Sequence, residues 1–331
     1  MSLYRNIIKK AINNTWQNRY LWFFGLFAAL LIGSGSEFSI LYRGLSGESQ
    51  GAFFPGIRSI METGVFSAQT IPNLGRLFME EPFSVIMIML VGTIVLILFA
   101  FLVWLTIISQ AALVNNSALI IGKKKNNFQD GINAGMKNFW SVFSLNLIVR
   151  LFVYIIFLLV SLPLILSAGR NVAGSNLAFG ILFLLFIPVA VALSFIIKYA
   201  IAYSVIKRTD IFESIKLGWD LFAKNWIISL EMAFLLFFIN FVAGFLIIVS
   251  LLILAVPVLF LGFILLKVGA GFAFGLVMML GFFLFLAAIG ISGALLATFQ
   301  ISAWTGLFIE LISKGGASKL SRLMSNLQSA K

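Results

Sequence analysis

Four ionisable residues stand inside long apolar runs: Arg150, Lys198, Glu231 and Glu310. A charge at mid-membrane depth costs about 3 kcal/mol on insertion scales, so such residues mark ion paths, ligand sites or internal ion pairs. Arg150 is ten residues past Trp140, roughly 15 Å along a helix rising 1.5 Å per residue. Lys198 is nine residues before Lys207, Glu231 five after Trp226, and Glu310 four before Lys314. All four therefore fall in the membrane half nearest those basic and aromatic edges. Asn146, Arg150 and Tyr154 recur at i, i+4 and i+8 on one helix face. Ser194 lies one turn before Lys198, and Thr298, Ser302 and Thr305 recur on the last apolar run. Two chemistries fit. Two cations and two anions can neutralise one another, with Arg150 reaching Glu231, and join the hydroxyls in a network worth about 0.6 kcal/mol per interhelical contact. Alternatively, Arg150 and Lys198 line a wet cavity that holds a lipid phosphate or acidic solute, or one carboxylate carries protons. Two neutralised pairs make a poor trap for an anion, which favours the network.

Much other chemistry is excluded by composition. The chain has no Cys and no His. That removes Cys- or His-ligated zinc, haem on an axial His, thiol nucleophiles, disulfides and a Ser-His-Asp triad. Of 11 carboxylates, only Glu231 and Glu310 lie in apolar runs. A membrane-embedded hydrolase would need those two as a pair. The chain therefore reads as non-enzymatic, with no metal and no cofactor.

The elements that position these residues are membrane helices. Of 331 residues, 61% are hydrophobic and 10% charged, against about 45–50% and 25% in soluble domains. The mean hydropathy is +1.10. The fold class is all-α, a polytopic bundle with six transmembrane helices at about 20–36, 83–109, 141–167, 176–206, 226–256 and 280–312. All but the first exceed the roughly 20 apolar residues a crossing needs. The region 226–312 is apolar almost throughout; two long spans with a partly inserted stretch at 258–279 fit best, and four short spans, eight in all, are the alternative.

The net charge of +12 sits beside the apolar runs, which fits the positive-inside rule rather than a nucleic-acid face. Sixteen of the 23 Lys and Arg fall at the N-terminus, in the second and fourth connections and in the tail. Five fall on the other side, and Arg150 and Lys198 lie within spans. Both termini are therefore expected in the cytoplasm. Lys123, Lys124 and Lys125 anchor that topology and are candidate contacts for anionic lipid headgroups, the expected partners. The outside loop 37–82 is mildly acidic and rich in Gly, with Ile71, Leu74, Leu77 and Phe78 able to lie on the outer leaflet or cap the bundle.

A small residue followed seven positions later by Asn occurs before three spans: Ala11/Asn18, Gly131/Asn138 and Gly218/Asn225. Aromatics follow each Asn. Upstream of each lies a short amphipathic segment. In the first, Tyr4, Ile7, Ile8, Ala11, Ile12 and Thr15 oppose Arg5, Lys9 and Asn13. Phe128, Ile132, Met136 and Phe139 mark the second, and Phe212, Ile215, Trp219 and Phe222 the third. This is the pattern of helices lying in the headgroup plane. The plainer account is that Asn and aromatics mark helix starts at any interface; the shared spacing favours a repeat. One transmembrane domain then holds three parallel helical-hairpin repeats, about 1–122, 123–208 and 209–313, each preceded by an interfacial helix. A tail at 314–331 has Leu320, Leu323, Met324 and Leu327 on one side. Because the first basic stretch belongs to the repeat, a cleaved signal peptide is not expected.

The segments Ile7–Ala11 and Trp16–Phe27, with Ser214–Trp219 and Lys224–Trp226, resemble the recurrent elements of a bacterial six-span family. That family includes the membrane domain of some glycerophosphoryl diester phosphodiesterases. The resemblance implies a standalone membrane domain in the bacterial plasma (inner) membrane. It carries over no catalytic residue, since the catalytic domain and its histidines are absent. The function expected is lipid interaction or membrane scaffolding; the alternative is a transporter or lipid-translocating protein with a cytoplasm-facing cavity around Arg150 and Lys198.

Overall fold

The computed structural model of the chain describes residues 3–32, 79, 82–166 and 173–314. Most of the 37–82 loop and the 318–331 segment lie outside the described residues. Every regular element among the described residues is helical. In order these are α1 (Leu3–Gln17), α2 (Leu21–Ile32), α3 (Pro82–Ile121), α4 (Phe128–Lys137), α5 (Phe139–Leu166), α6 (Ala173–Ala202), a π-helical turn (Tyr203–Lys207), α7 (Ile211–Lys224), α8 (Trp226–Lys267) and α9 (Gly271–Lys314).

Five of them are long and apolar enough to cross a membrane: α3, α5, α6 with its π turn, α8 and α9. The chain is thus a multi-pass helical membrane protein. The first expected span is represented by α2, an apolar helix of 12 residues; positions 33–36 lie outside the described residues. The stretch 258–279 is helical on both sides of a single turn. α8 runs unbroken through Pro257 to Lys267, turns at Gly269 in the left-handed region (φ 75°), and continues as α9. Proline removes one backbone hydrogen bond, but the apolar residues on both sides leave the chain no cheaper state in hydrocarbon than a continued helix.

By internal contacts the chain divides into Ser34–Leu105 on one side and Met1–Gly33 with Thr106–Lys331 on the other. The described part of the first is the opening of α3, where Phe83, Ile88 and Leu96 are exposed and Phe101 stacks on Trp104 at 5.8 Å. In the second unit α2 packs on α9, α5 on α6, α8 on α9, α7 on α6 and α1 on α9. Small residues permit these approaches. A Cβ at Gly218 of α7 would stand 2.9 Å from the Ile196 carbonyl oxygen and 3.0 Å from the Ala200 nitrogen of α6. One at Gly135 of α4 would meet the Ile108 carbonyl of α3 at 2.6 Å. Without a hydrophobic drive between helices in lipid, such close packing is what holds them.

Candidate functional site

The three Asn positions singled out by spacing share one local geometry. The side-chain amide of Asn18 donates to the Asn14 carbonyl at 3.2 Å, that of Asn138 to Ala134 at 2.8 Å, and that of Asn225 to Leu221 at 3.0 Å. Each also donates its backbone N–H to the same carbonyl. Each Asn carbonyl then accepts an N–H from the first turn of the next helix, that of Leu21, Val142 and Ser229 respectively. The Asn side chain thus serves the end of the short helix, and its backbone carbonyl opens the hydrogen bonding of the next. The turn redirects the chain from a short helix into an apolar one.

The short helices present three faces. Ala11, Gly131 and Gly218, the small members of the pairs, are buried, as are Asn14, Gly135 and Leu221 beside them. On α1 the expected stripe is buried at Tyr4, Ile7, Ala11 and Thr15, with Ile12 exposed and Trp16 exposed beside it. On α4 and α7 the stripes are split: Met136, Phe212 and Trp219 are exposed, while Phe128 stacks on Phe24 of α2 and Phe222 on Phe195 of α6. Arg5, Lys9, Lys137, Lys216 and Lys224 are exposed as well. Trp140 and Trp226, just past the turns, are 72% and 53% exposed. Each short helix therefore sets small residues against the protein, joined on α1 by Tyr4 and Ile7, and leaves part of its aromatic flank exposed.

Behind the turns lies a buried polar node. The Asn14 amide donates to Ser302 Oγ at 3.0 Å and to Ser117 Oγ at 3.4 Å, and the two hydroxyls are 2.8 Å apart. All three residues are buried, so α1, α3 and α9 are joined by groups with no access to water. Thr298 donates to the Ala294 carbonyl at 2.8 Å and approaches that of Leu21 at 3.3 Å. Thr298, Ser302 and Thr305 are thus packed between helices. Asn116 is fully buried, and neither atom of its amide has a hydrogen-bond partner. In the turn between α1 and α2, Tyr20 accepts a hydrogen bond from the Asn126 amide at 2.6 Å. Burial, with the nearby Asp130 charge adding, pushes its phenol up to about 12.

The intramembrane residues are distributed across the unit. Glu231, on the first turns of α8, accepts a hydrogen bond from the buried hydroxyl of Tyr4 of α1. Lys198 of α6 holds its ammonium 4.9 Å from the Trp304 ring and 5.6 Å from that of Phe195, a contact worth about 0.5–2 kcal/mol. Phe195 in turn stacks on Phe222 of α7. Asn146 of α5 donates to Gln110 of α3 at 2.9 Å and to its own Val142 carbonyl at 2.8 Å. Arg150 and Glu310 are half-buried, and Tyr154 is 53% exposed. Lys123, Lys124 and Lys125 are exposed in the connection after α3. Lys123 closes α3 in the left-handed conformation (φ 56°), with its N–H on Ile120 and that of Lys124 on Leu119. Arg208 holds the same conformation (φ 59°) after α6.

Sequence spacing did not reveal Asn14, Gln110, Ser117 or Trp304, and it gave Tyr4 only as part of the first stripe, not as a partner of Glu231. Each acts through a partner at least 36 residues away, beyond any helical period. Of the first four, only Asn14 left a signal, one turn before Asn18.

Helix length, composition and buried polar contacts define a multi-pass helical membrane protein. The chain matches no protein-family model, no curated protein and no solved structure in the three comparisons made.

Proposed function

We propose that this is a non-enzymatic, lipid-interacting scaffold of the bacterial plasma membrane, built of three parallel units and crossing six times with both termini in the cytoplasm. The observation that carries this reading is the thrice-repeated short helix, with a small residue buried against the protein at Ala11, Gly131 and Gly218, Trp16, Met136 and Trp219 exposed, and exposed cations on the same helix. Such a helix suits the boundary between acyl chains and anionic headgroups. The packing order fits three units: α4 meets α3, α7 meets α6, and α1 meets α9. Each short helix thus rests on the second crossing of the preceding unit, the first taking up the last. The contacts of Lys198 and Glu231 with aromatic neighbours favour internal joints over a transport cavity.

Lipids retained through mild purification test this. Anionic phospholipid is expected to be enriched over its share of the membrane. The triple variant Lys123→Ala, Lys124→Ala, Lys125→Ala is expected to lower that enrichment several-fold. Equal retention of anionic and zwitterionic lipid by the parent protein would contradict the reading.

A further inference from the structure

α8 and α9 are each about twice as long as a crossing requires. Their 42 and 44 residues extend roughly 63 and 66 Å at 1.5 Å per residue, against a hydrocarbon core of about 30 Å. α5 and α6 have 28 and 30 residues, roughly 42 and 45 Å, the thickness of a bilayer with its headgroups. One end of the long pair is fixed at the Asn225 turn. The excess therefore lies at the far end, in Val258–Leu280.

That tip carries one charge. Between 258 and 280 every residue is apolar or glycine except Lys267. The exposure is not confined to a face: Leu259, Phe260, Leu261 and Phe263 are 58%, 65%, 47% and 60% exposed. Only the Gly262 side is covered, by Phe274 and Met278 of α9. Water is a poor cover, since exposing apolar surface costs about 25 cal/mol per Å². A protein partner takes one face and leaves a polar remainder, and there is no polar remainder here. A second copy meeting end to end would bring two Lys267 ammonium groups together. Acyl chains cover every side at once. A lone cation at the apex, 5.6 Å above the Phe263 ring, suits a lysine reaching from hydrocarbon to phosphate.

The pair also has a place to bend. A helix leaning by 40°, the upper end of the usual range, fits about 26 residues into the core. Counted from Trp226, that ends near residue 252, just before Pro257. Proline there leaves the Ile253 carbonyl without its helical N–H partner and permits a kink. Opposite it, Gly281 sits against the Val258 side chain with no room for a Cβ, which couples the two helices at the bend.

We propose that Val258–Leu280 is a lipid-docking tip, laid into the acyl region of the far leaflet of the protein's own membrane, with Lys267 at the level of the phosphates. This site lies at the opposite end of the helices from the lipid contacts proposed above and needs only that α8 and α9 be membrane helices. The cysteine-free sequence makes the test direct. Single variants Phe260→Cys and Leu276→Cys, with Lys125→Cys as the water-exposed reference, carry an environment-sensitive fluorophore in vesicles of phosphatidylcholine and phosphatidylglycerol. Leu259→Cys replaces any tip variant that fails to fold. The tip labels are expected to be quenched several-fold more by acyl-chain spin labels than by iodide, and the reference label the reverse. Iodide quenching of the tip labels overturns the proposal, as does oxidation of the tip cysteines to a covalent dimer at high lipid dilution.

Discussion

The two ends of α8 and α9 are the same kind of helix in opposite circumstances. Near the Asn225 turn, Ile228, Ser229 and Met232 are buried, Ser229 lies 2.7 Å from the Tyr199 hydroxyl, and Glu231 holds Tyr4. On α9, Thr298, Ser302 and Leu307 are likewise buried. Toward Gly269 the same two helices touch little besides each other. Hydropathy does not separate the ends, since both are apolar. Hydroxyl-bearing residues do: Ser229, Thr298, Ser302 and Thr305 are buried near the turn, and the stretch 258–280 has none. In a membrane, therefore, buried hydroxyl and amide side chains mark the interior, and a glycine does so only where a neighbouring helix covers it, as at Gly218.

The largest expected effect sets glycine against glycine. Gly218→Leu drives a side chain into the α6 backbone and should lose about 3 kcal/mol. Gly275→Leu meets nothing within 4 Å and should stay within about 0.5 kcal/mol of the parent. Unfolding in graded denaturing detergent reads both; equal losses would break the comparison between the two ends.

A smaller effect is expected at the polar node. Asn14→Leu removes the bonds to Ser117 and Ser302 and should lose about 1–2 kcal/mol. Because the two hydroxyls bond each other, Asn14→Leu with Ser302→Ala should cost less than the two single changes added. Strict additivity would show that the node is three separate contacts.

The smallest is confined to alkaline pH. The Tyr20 phenol titrates near 12 in the folded chain and near 10 when unfolded. Its contribution is therefore complete below pH 10, where both states are protonated. It is lost as pH rises from 10 to 12, where only the unfolded state ionises. Tyr20→Phe should blunt the fall in thermal stability over that window. A fall of the same size in both proteins would assign it to other groups.

The amino-acid sequence made some of this legible. Apolar runs located α3, α5, α6, α8 and α9, because hydrocarbon leaves a long apolar segment little choice but a helix. The spacing of Ala11, Gly131 and Gly218 from their Asn residues located the turns, because capping is local. The path through 258–279 was not legible: a segment apolar on every side carries no period to show where it faces. Nor was the direction of the stripes. Phe212 and Trp219 belong to the stripe read as lying in the headgroup plane and are exposed, but the spacing did not show that Gly218 between them packs on α6 or that Tyr4 and Ile7 of the first stripe are buried. The Lys198–Trp304 and Asn14–Ser302 contacts join residues far apart in sequence, and only the packing of helices brings them together.

The account rests on three turns of one kind facing one side of the bilayer. Single cysteines at Asn13, Lys125 and Lys224, all exposed, can be challenged with a membrane-impermeant maleimide in sealed, right-side-out and inverted vesicles. The account predicts that all three are protected in right-side-out vesicles and labelled in inverted ones. A site labelled from the other face would contradict it.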